Sequence, residues 1–223
     1  MASNALLKHQ PPPAATLVGL GVALFSPLFT NLVVTRVLGL TPSGALIAAG
    51  LVIHWATFAL LLVIVLRWER EPLKSIGWQS PRWSTLLLGI VAGVVIAIVS
   101  GFVGQRLRLR SDTHFLAFLQ SLPLMARVVL VITAGVYEET LYRGYGIERL
   151  SKYFGGKWIA AAITLAVFTY AHASAVGAAQ LAPILIVAGL VTVLYLWRRD
   201  LLLNMVVHTT IDALGLLVIP ALG

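Results

Sequence analysis

The chain of 223 residues has no cysteine and few charged side chains. Without cysteine, disulfides, thiolate nucleophiles, iron–sulfur clusters and cysteine-based zinc sites are excluded. Charged residues make up only 11% of the chain, whereas soluble globular domains usually carry about 25%. A chain with so little charge cannot cover its own surface in water, and its mean hydropathy is +0.94. We therefore expect lipid to be its main solvent. The chain also lacks an internal repeat, which would have favoured an inverted-repeat transporter.

Long apolar blocks make up most of the chain. A bilayer core of about 30 Å needs roughly 20 apolar residues in a helix. The blocks that meet this requirement are about 14–35, 43–66, 84–104, 127–147, 157–175, 181–197 and 201–221. The segment 115–124 is apolar but short, and it is interpreted as a re-entrant or interfacial piece, or as the start of a longer fourth span. The sequence therefore predicts an all-α, polytopic transmembrane helix bundle of about seven spans, with six to eight compatible with the block boundaries.

The chain divides by composition into three parts. Residues 1–13 are polar and end in three prolines. They are interpreted as a flexible N-terminal tail, because they lack the charged-then-apolar pattern of a cleaved signal. Residues 14–114 hold the N-terminal transmembrane helices and a connector, 69–84, whose Trp, Lys and Arg favour the membrane interface. Residues 115–223 hold the polar motifs described below.

The net charge of +8 would suggest a nucleic-acid partner in a soluble protein. Here most Lys and Arg residues lie in short gaps between apolar blocks, where they orient a chain in the bilayer, so no nucleic acid is expected. They are more numerous at the N-terminus and in the second, fourth and sixth gaps. The positive-inside rule then predicts a multi-pass protein of the cell membrane with a cytoplasmic N-terminus, although Arg106, Arg108 and Arg110 argue for the opposite orientation.

Ionisable residues are rare well inside the apolar blocks. They are His54, Glu138, Glu139, Arg143, His172, His208 and Asp212. A charge near the bilayer centre costs at least about 2.5–3.5 kcal/mol on insertion scales, so such residues are functional candidates. All except His54 lie on three spans in the C-terminal half. His54 is alone on the second span and is interpreted as a histidine satisfied within the bundle.

The first motif runs from Glu138 to Arg143. Glu139 and Arg143 are four residues apart on a helix and are predicted to pair. Glu138 points away from Arg143 and is left as a free carboxylate, which in a low dielectric suits a general base.

The second and third motifs supply histidines. Phe168 and His172 lie on one helical face in the second motif. His208 and Asp212 are again four residues apart in the third. Asp212 can accept a hydrogen bond from His208 and fix its tautomer, or both can bind one metal ion. At a rise of about 1.5 Å per residue, the polar residues of the three motifs fall in one mid-membrane layer roughly 11 Å deep, so we expect them to meet.

The three motifs resemble those of the CAAX-protease and bacteriocin-processing (CPBP, or Abi) family of intramembrane peptidases. That family is marked by Glu-Glu-x-x-x-Arg, Phe-x-x-x-His and His-x-x-x-Asn or Asp on successive helices. Here the same order reads Glu138-Glu139 to Arg143, Phe168 to His172, and His208 to Asp212. The resemblance covers about residues 115–221. It implies that residues 115–223 form a transmembrane catalytic domain, an intramembrane endopeptidase that hydrolyses peptide bonds within or beside the membrane.

The resemblance also implies roles for individual residues. Glu138 and His172 would activate the attacking water, and His208 with Asp212 would stabilise the oxyanion. Glu139, Arg143 and Phe168 would support them structurally. Because Asp212 cannot donate a hydrogen bond when ionised, it must be protonated, orient a protonated His208 or bind a metal.

The cofactor and partners follow from the same resemblance. Both a metal-free glutamate mechanism and a metalloprotease-like mechanism are proposed for the family. The expected cofactor is therefore none, or a divalent metal such as zinc. The side chains that would hold such a metal are Glu138, His172, His208 and Asp212. The partners are the lipid bilayer and a peptide or lipidated protein substrate, which is a lipidated C-terminus, a leader peptide or a membrane-anchored protein.

Two other functions remain compatible with the sequence. A non-catalytic membrane scaffold or bacteriocin-immunity protein would keep the fold and bind a peptide without cleaving it. A proton-coupled carrier would use the buried Glu, His and Asp side chains as proton relays.

Overall fold

The computed structural model describes residues 13–39, 43–109, 113–176 and 181–222, and this part of the chain forms helices joined by short turns, with no strand. The helices are α1 (Pro13–Leu32), α2 (Gly44–Val63), α3 (Trp83–Arg106), α4 (Thr113–Ser121), α5 (Leu124–Glu138), α6 (Glu148–Phe154), α7 (Lys157–Val176), α8 (Leu181–Arg198), α9 (Leu201–Ala213) and α10 (Ile219–Leu222). Wider π-helical turns continue four of them, at Val33–Val37, Ile64–Trp68, Glu139–Ile147 and Leu214–Val218. The predicted all-α helical bundle is confirmed.

Five of the described helical segments are long and apolar enough to cross a bilayer. They are Pro13–Val37, Gly44–Trp68, Trp83–Arg106, Leu181–Arg198 and Leu201–Ala221, and they coincide with five of the seven predicted blocks. The other two blocks, 127–147 and 157–175, are also helical, and they contain the first and second motifs. In α2 and α3 only 17% of the most apolar stretch is buried, so lipid can cover most of their surface.

The fourth predicted span is longer than its apolar block. Its helix begins at Leu124, runs through the π-helical segment Glu139–Ile147 into α6 and ends at Gly155, whose φ of 67° is left-handed. The apolar segment before it forms the separate nine-residue helix α4. Pro123 separates the two, because proline lacks a backbone N–H and disfavours helical backbone in the residue before it.

Helix α9, which carries the third motif, is held between α3 and α5 by a seam of glycines. A Cβ atom at Gly93 would lie 2.7 Å from Thr210 Cβ, and one at Gly135 would lie 3.0 Å from the Met205 carbonyl oxygen. Small residues allow membrane helices to approach this closely. The seam therefore fixes the position of α9 relative to the first motif on α5.

A buried ion pair joins the N-terminal helices to the C-terminal half. Glu69, just after α2, and Arg149, on α6, are both fully buried, and Arg149 Nη2 lies 2.7 Å from Glu69 Oε2. The hydroxyls of Thr16 and Tyr145 donate to Glu69 Oε1 at 3.0 and 2.8 Å, and Arg149 also donates to Ser75. The sequence assigned Glu69 to an interfacial connector and Arg149 to a gap, and it did not predict their pairing.

The preceding residue of α6 makes a second ion pair at the same end of the bundle. Glu148 pairs with Arg199 in the turn before α9 and accepts a hydrogen bond from the Tyr195 hydroxyl at 3.2 Å. The hydrogen bond with Glu148 raises the pKa of the Arg199 guanidinium. The Leu201 N–H also donates to the Gly77 carbonyl oxygen at 2.8 Å. We call these contacts and the Glu69–Arg149 cluster the polar layer, since they tie one end of the bundle together.

Some predictions fall on parts of the chain that are not described. Residues 1–12 of the predicted N-terminal tail and Arg110 lie outside the described residues. The three-part division of the chain and the cytoplasmic N-terminus remain predictions.

Candidate active site

Two histidines from different helices converge on one carboxylate. Glu138 is the last residue of α5, His172 is on α7 and His208 is on α9. Glu138 Oε2 lies 3.6 Å from His172 Nε2 and 3.7 Å from His208 Nε2. This oxygen is buried and has no hydrogen-bond partner among the described residues. The structure thus brings one residue of each motif together around an acceptor that is free to bind a small polar molecule.

Glu139 has the opposite environment from Glu138. It is fully buried and accepts hydrogen bonds from Arg143 Nη1 at 2.9 Å, from Asn204 Nδ2 at 3.2 Å and from His208 Nδ1 at 2.8 Å. The predicted pair between Glu139 and Arg143 is present. Arg143 and Asn204 hold the Glu139 carboxylate in place, and this carboxylate in turn fixes the His208 ring through Nδ1. The Nε2 atom of His208 then faces Glu138.

Arg143 is fixed by neighbours on α8 as well as by Glu139. Its Nη2 donates to the Ala188 carbonyl oxygen at 3.1 Å, and its Nε donates to the Thr192 hydroxyl at 3.3 Å. Its guanidinium carbon lies 4.6 Å from the centre of the Phe168 ring, within the range of a cation–π contact. Arg143 therefore connects the first motif to α7 and α8.

Phe168 positions His172 in two ways. The two rings lie 4.2 Å apart between centroids, and His172 Nδ1 lies 3.0 Å from the Phe168 carbonyl oxygen. A carbonyl oxygen only accepts hydrogen bonds, so Nδ1 is the donor. In the neutral ring, Nε2 is then an acceptor, and it is the nitrogen that faces Glu138.

Asp212 lies close to His208, but it is not the residue that fixes the histidine tautomer. Its Oδ2 atom is 3.5 Å from His208 Nε2, whereas Glu139 holds Nδ1 at 2.8 Å. The Asp212 side chain is 31% exposed and lies at the edge of the site. Asp212 therefore faces the same nitrogen of His208 that faces Glu138.

A cavity of about 240 Å³ opens beside these residues. One wall is polar and contains His172, His208 and Asp212; the other is apolar and consists largely of α8, including Ile184 and Val187. Glu138 is not among the residues that line the cavity, but both histidines that line it face the Glu138 carboxylate. The cavity can accept a short apolar peptide segment next to the polar side chains.

The four predicted metal ligands are Glu138, His172, His208 and Asp212. Within the part of the chain that the structure describes, no group of three or more His, Asp and Glu side chains is arranged to hold a metal ion. The choice between no cofactor and a divalent metal such as zinc remains a prediction.

One contributor to this region, Asn204, lies outside the sequence motifs. Asn204 lies one turn before His208, is fully buried, and donates from Nδ2 to Glu139 and to the Val191 carbonyl oxygen, the latter at 2.9 Å. It was missed because only ionisable residues were considered, although a buried amide in an apolar helix is also costly. His54, which was set apart from the site, stacks on the ring of Tyr137, the residue before Glu138, at 4.3 Å.

The fold and the site define an α-helical membrane protein whose C-terminal helices bring two glutamates, two histidines and an aspartate together beside a cavity. Residues 120–214 match the family model described as type II CAAX prenyl endopeptidase Rce1-like. The match lies within the region of the predicted resemblance to the CAAX-protease and bacteriocin-processing family and confirms that resemblance. Comparison with curated proteins and with solved structures gave no match. The family implies a CAAX-type intramembrane protease that acts on a membrane-embedded peptide or protein.

Proposed function

We propose that this chain is an intramembrane endopeptidase in which Glu138 and His172 activate a water molecule to hydrolyse a peptide bond. The observation that carries the proposal is the convergence of His172 Nε2 and His208 Nε2 on Glu138 Oε2, at 3.6 and 3.7 Å, an oxygen without a hydrogen-bond partner among the described residues. These separations exceed a direct hydrogen bond. They leave the carboxylate oxygen and the imidazole nitrogen free to accept hydrogen bonds from one water molecule.

In the proposed reaction, the water oxygen adds to the scissile carbonyl carbon as Glu138 takes a proton from it. His172 accepts a second hydrogen bond from the water and orients it. The carbonyl oxygen becomes an oxyanion. When the C–N bond breaks, the proton held by Glu138 passes to the leaving amine nitrogen. The products are a carboxylic acid and an amine, and Glu138 is again ionised after proton transfer.

His208 is the proposed oxyanion donor. Its Nδ1 donates to Glu139 and its Nε2 faces the reacting centre. The carboxylates of Glu138, Glu139 and Asp212 around the ring favour the imidazolium, in which Nε2 also carries a proton and can donate a hydrogen bond to the oxyanion. Asp212 lies 3.5 Å from the same nitrogen and orients the imidazolium rather than donating itself. Orienting the imidazolium requires a hydrogen-bond acceptor and not a donor, so an aspartate at position 212 suits this role.

The proposed substrate is a membrane-associated peptide or protein: a lipidated C-terminus, a leader peptide or a membrane-anchored protein. The apolar α8 wall opposite His172 and His208 supports an apolar segment beside the scissile bond. The proposed location is the cell membrane, with the N-terminus in the cytoplasm, since basic residues are more numerous at that end of the helices.

The test is cleavage of prenylated and unprenylated peptide libraries by purified protein in proteoliposomes. Glu138→Gln keeps the shape of the side chain but removes the base, so we expect the cleavage rate to fall by about 100-fold or more. Glu71→Gln is the matched control, because Glu71 is a carboxylate on the connector outside the site.

Wild-type cleavage that persists in Glu138→Gln would overturn the assignment of the base. No cleavage by the folded wild type across the whole library would favour the non-catalytic scaffold instead. A chelator added to the wild type decides the cofactor: unchanged cleavage supports the glutamate mechanism, while loss that zinc restores would assign a metal to this site.

A further inference from the structure

The polar layer defines one end of the helix bundle, where four different helices each present a cation next to an exposed tryptophan. The pairs are Arg67–Trp68 after α2, Arg82–Trp83 before α3, Lys157–Trp158 at the start of α7 and Trp197–Arg198 at the end of α8. The ion pairs Glu69–Arg149 and Glu148–Arg199 place these helix ends at the same level. The tryptophan side chains are strongly exposed, at 83% for Trp83 and 73% for Trp197.

Three more exposed cations lie at this end, namely Arg70, Lys74 and Lys152. Together with the four Trp–cation pairs they form a surface that we call the basic collar. None of its seven cations forms an ion pair with a carboxylate in the described part of the chain. The acidic residues nearby are largely occupied, since Glu69 and Glu148 hold Arg149 and Arg199, and Asp200 caps α9.

The opposite end of the bundle is different. Its exposed cations in the described ranges are Arg36, Arg106 and Arg108, and Arg106 is stacked on the Phe102 ring at 4.9 Å. No tryptophan lies at that end: of the six in the chain, five are at the collar end and Trp55 is inside α2. Positive charge and interfacial aromatics are therefore concentrated on one side of the membrane.

We propose that the basic collar binds the headgroups of anionic phospholipids around the end of the bundle that holds the polar layer. Unpaired cations attract negatively charged headgroups, and each tryptophan ring lies at the boundary between headgroups and acyl chains. The collar surrounds the turns that precede α3, α7 and α9. Bound lipid would therefore lie next to the first turns of α7 and α9, the helices that carry the second and third motifs. This binding does not depend on the proposed peptidase activity.

The experiment uses the tryptophans as reporters. Full-length protein is reconstituted into phosphatidylcholine vesicles that contain phosphatidylglycerol or phosphatidylcholine brominated at shallow acyl-chain positions, and the quenching of tryptophan fluorescence is measured. Because four of the six tryptophans belong to the collar and Trp78 lies at the same end, quenching mainly reports lipid at this surface. We expect brominated phosphatidylglycerol to associate severalfold more strongly than brominated phosphatidylcholine, and the preference to fall in 1 M salt, where the Debye length is about 3 Å.

Two triple variants with the same loss of charge separate local binding from overall charge. Arg67→Gln/Arg82→Gln/Lys157→Gln removes three of the seven collar cations and should clearly reduce the lipid preference. Arg36→Gln/Arg106→Gln/Arg108→Gln removes the same charge from the other end and should leave the preference unchanged. Equal quenching by both lipids in the wild type, or an equal preference in the two triple variants, would overturn the proposal. Unfolding temperatures of both variants check that each is folded.

Discussion

Glu138 and Glu139 are neighbours in sequence, but their hydrogen bonds give them different capacities. Glu139 is fully buried with Arg143, His208 and Asn204 around it, so its charge is compensated and its position is fixed. Glu138 has an oxygen without a hydrogen-bond partner among the described residues, next to two imidazole rings. Glu139 can therefore only hold other groups in place, whereas Glu138 can exchange a proton.

Substitution of Asn204 tests how strongly the hydrogen bonds that hold Glu139 in place affect the reaction rate. In Asn204→Ala, Glu139 loses the donor at 3.2 Å on Oε2 and its carboxylate can rotate, so His208 loses its fixed position. At metal sites, loss of the hydrogen-bond partner that orients a ligand typically costs about 10–100-fold in activity, and Asn204 has the same orienting role towards Glu139 and His208. We expect kcat to fall by about 10-fold with little change in KM, as measured by peptide cleavage in proteoliposomes.

The matched control for this prediction is Asn31→Ala, which removes an amide from the exposed end of α1. It should leave both kinetic constants unchanged. A rise in KM at constant kcat for Asn204→Ala would show instead that Asn204 shapes the cavity rather than positioning His208.

The main part of the site could be predicted at this scale because ionisable side chains in an apolar helix are conspicuous. The pairing of Glu139 with Arg143 follows from their four-residue spacing alone. The partner of His208 Nδ1 could not be predicted in the same way. Asp212 is nearer in sequence, but Glu139 is the residue that α5 brings within 2.8 Å, and a contact between helices depends on their packing.

At the scale of elements, α9 is the helix whose position decides whether the site is assembled. It brings His208 and Asp212 towards Glu138, and glycines of α3 and α5 allow it to lie close to both helices. The π-helical segment Glu139–Ile147 begins directly after Glu138, and all nine of its residues are buried. Such wide turns often occur at functional sites. The third motif on α9 is thus positioned by glycines of α3 and α5, which take no part in the proposed reaction.

Gly93→Ala tests the seam. The added methyl group would lie 2.7 Å from Thr210 Cβ and 2.9 Å from the Val207 carbonyl oxygen, so α3 and α9 must separate. Overpacking of this kind costs about 1–3 kcal/mol, and we expect thermal unfolding in detergent to occur at a lower temperature.

Gly101→Ala is the control on the same helix, because nothing lies within 4 Å of its added Cβ atom. It should leave stability unchanged or raise it slightly, since alanine is the better helix former. If both variants unfolded at the same temperature, the close approach of α3 and α9 would not be important for stability.

At the scale of the whole molecule, the polar layer connects the N-terminal helices to the C-terminal half. Composition and apolar block length predicted the helical bundle, because both reflect the solvent in which the chain folds. They could not predict that Glu69 and Arg149, 80 residues apart, would be buried together. Each lies near a helix end, where sequence alone suggests exposure to headgroups and water.

Glu69→Gln should destabilise the protein strongly, because Arg149 would remain buried without its counter-charge. Removing one partner of a buried ion pair costs about 3–5 kcal/mol. The free energy of unfolding in a detergent–denaturant titration would measure the loss.

Glu148→Gln provides the comparison for this variant. It breaks the neighbouring ion pair and leaves Arg199, whose side chain is 45% exposed, to be solvated, so it should cost much less. A similar loss in both variants would show that burial is not what distinguishes the two pairs.

The glycine seam and the buried ion pair have a consequence for how the polypeptide can be divided. Gly93 and Glu69 precede α4, while their partners Thr210 and Arg149 follow it. A chain cut between Arg106 and Thr113 would therefore give two fragments with complementary surfaces. Coexpressed in one membrane, they would recognise each other through shape and charge without a covalent link. In either fragment alone, the charge that is buried in the intact protein would face lipid. We expect such an unpaired fragment to be degraded.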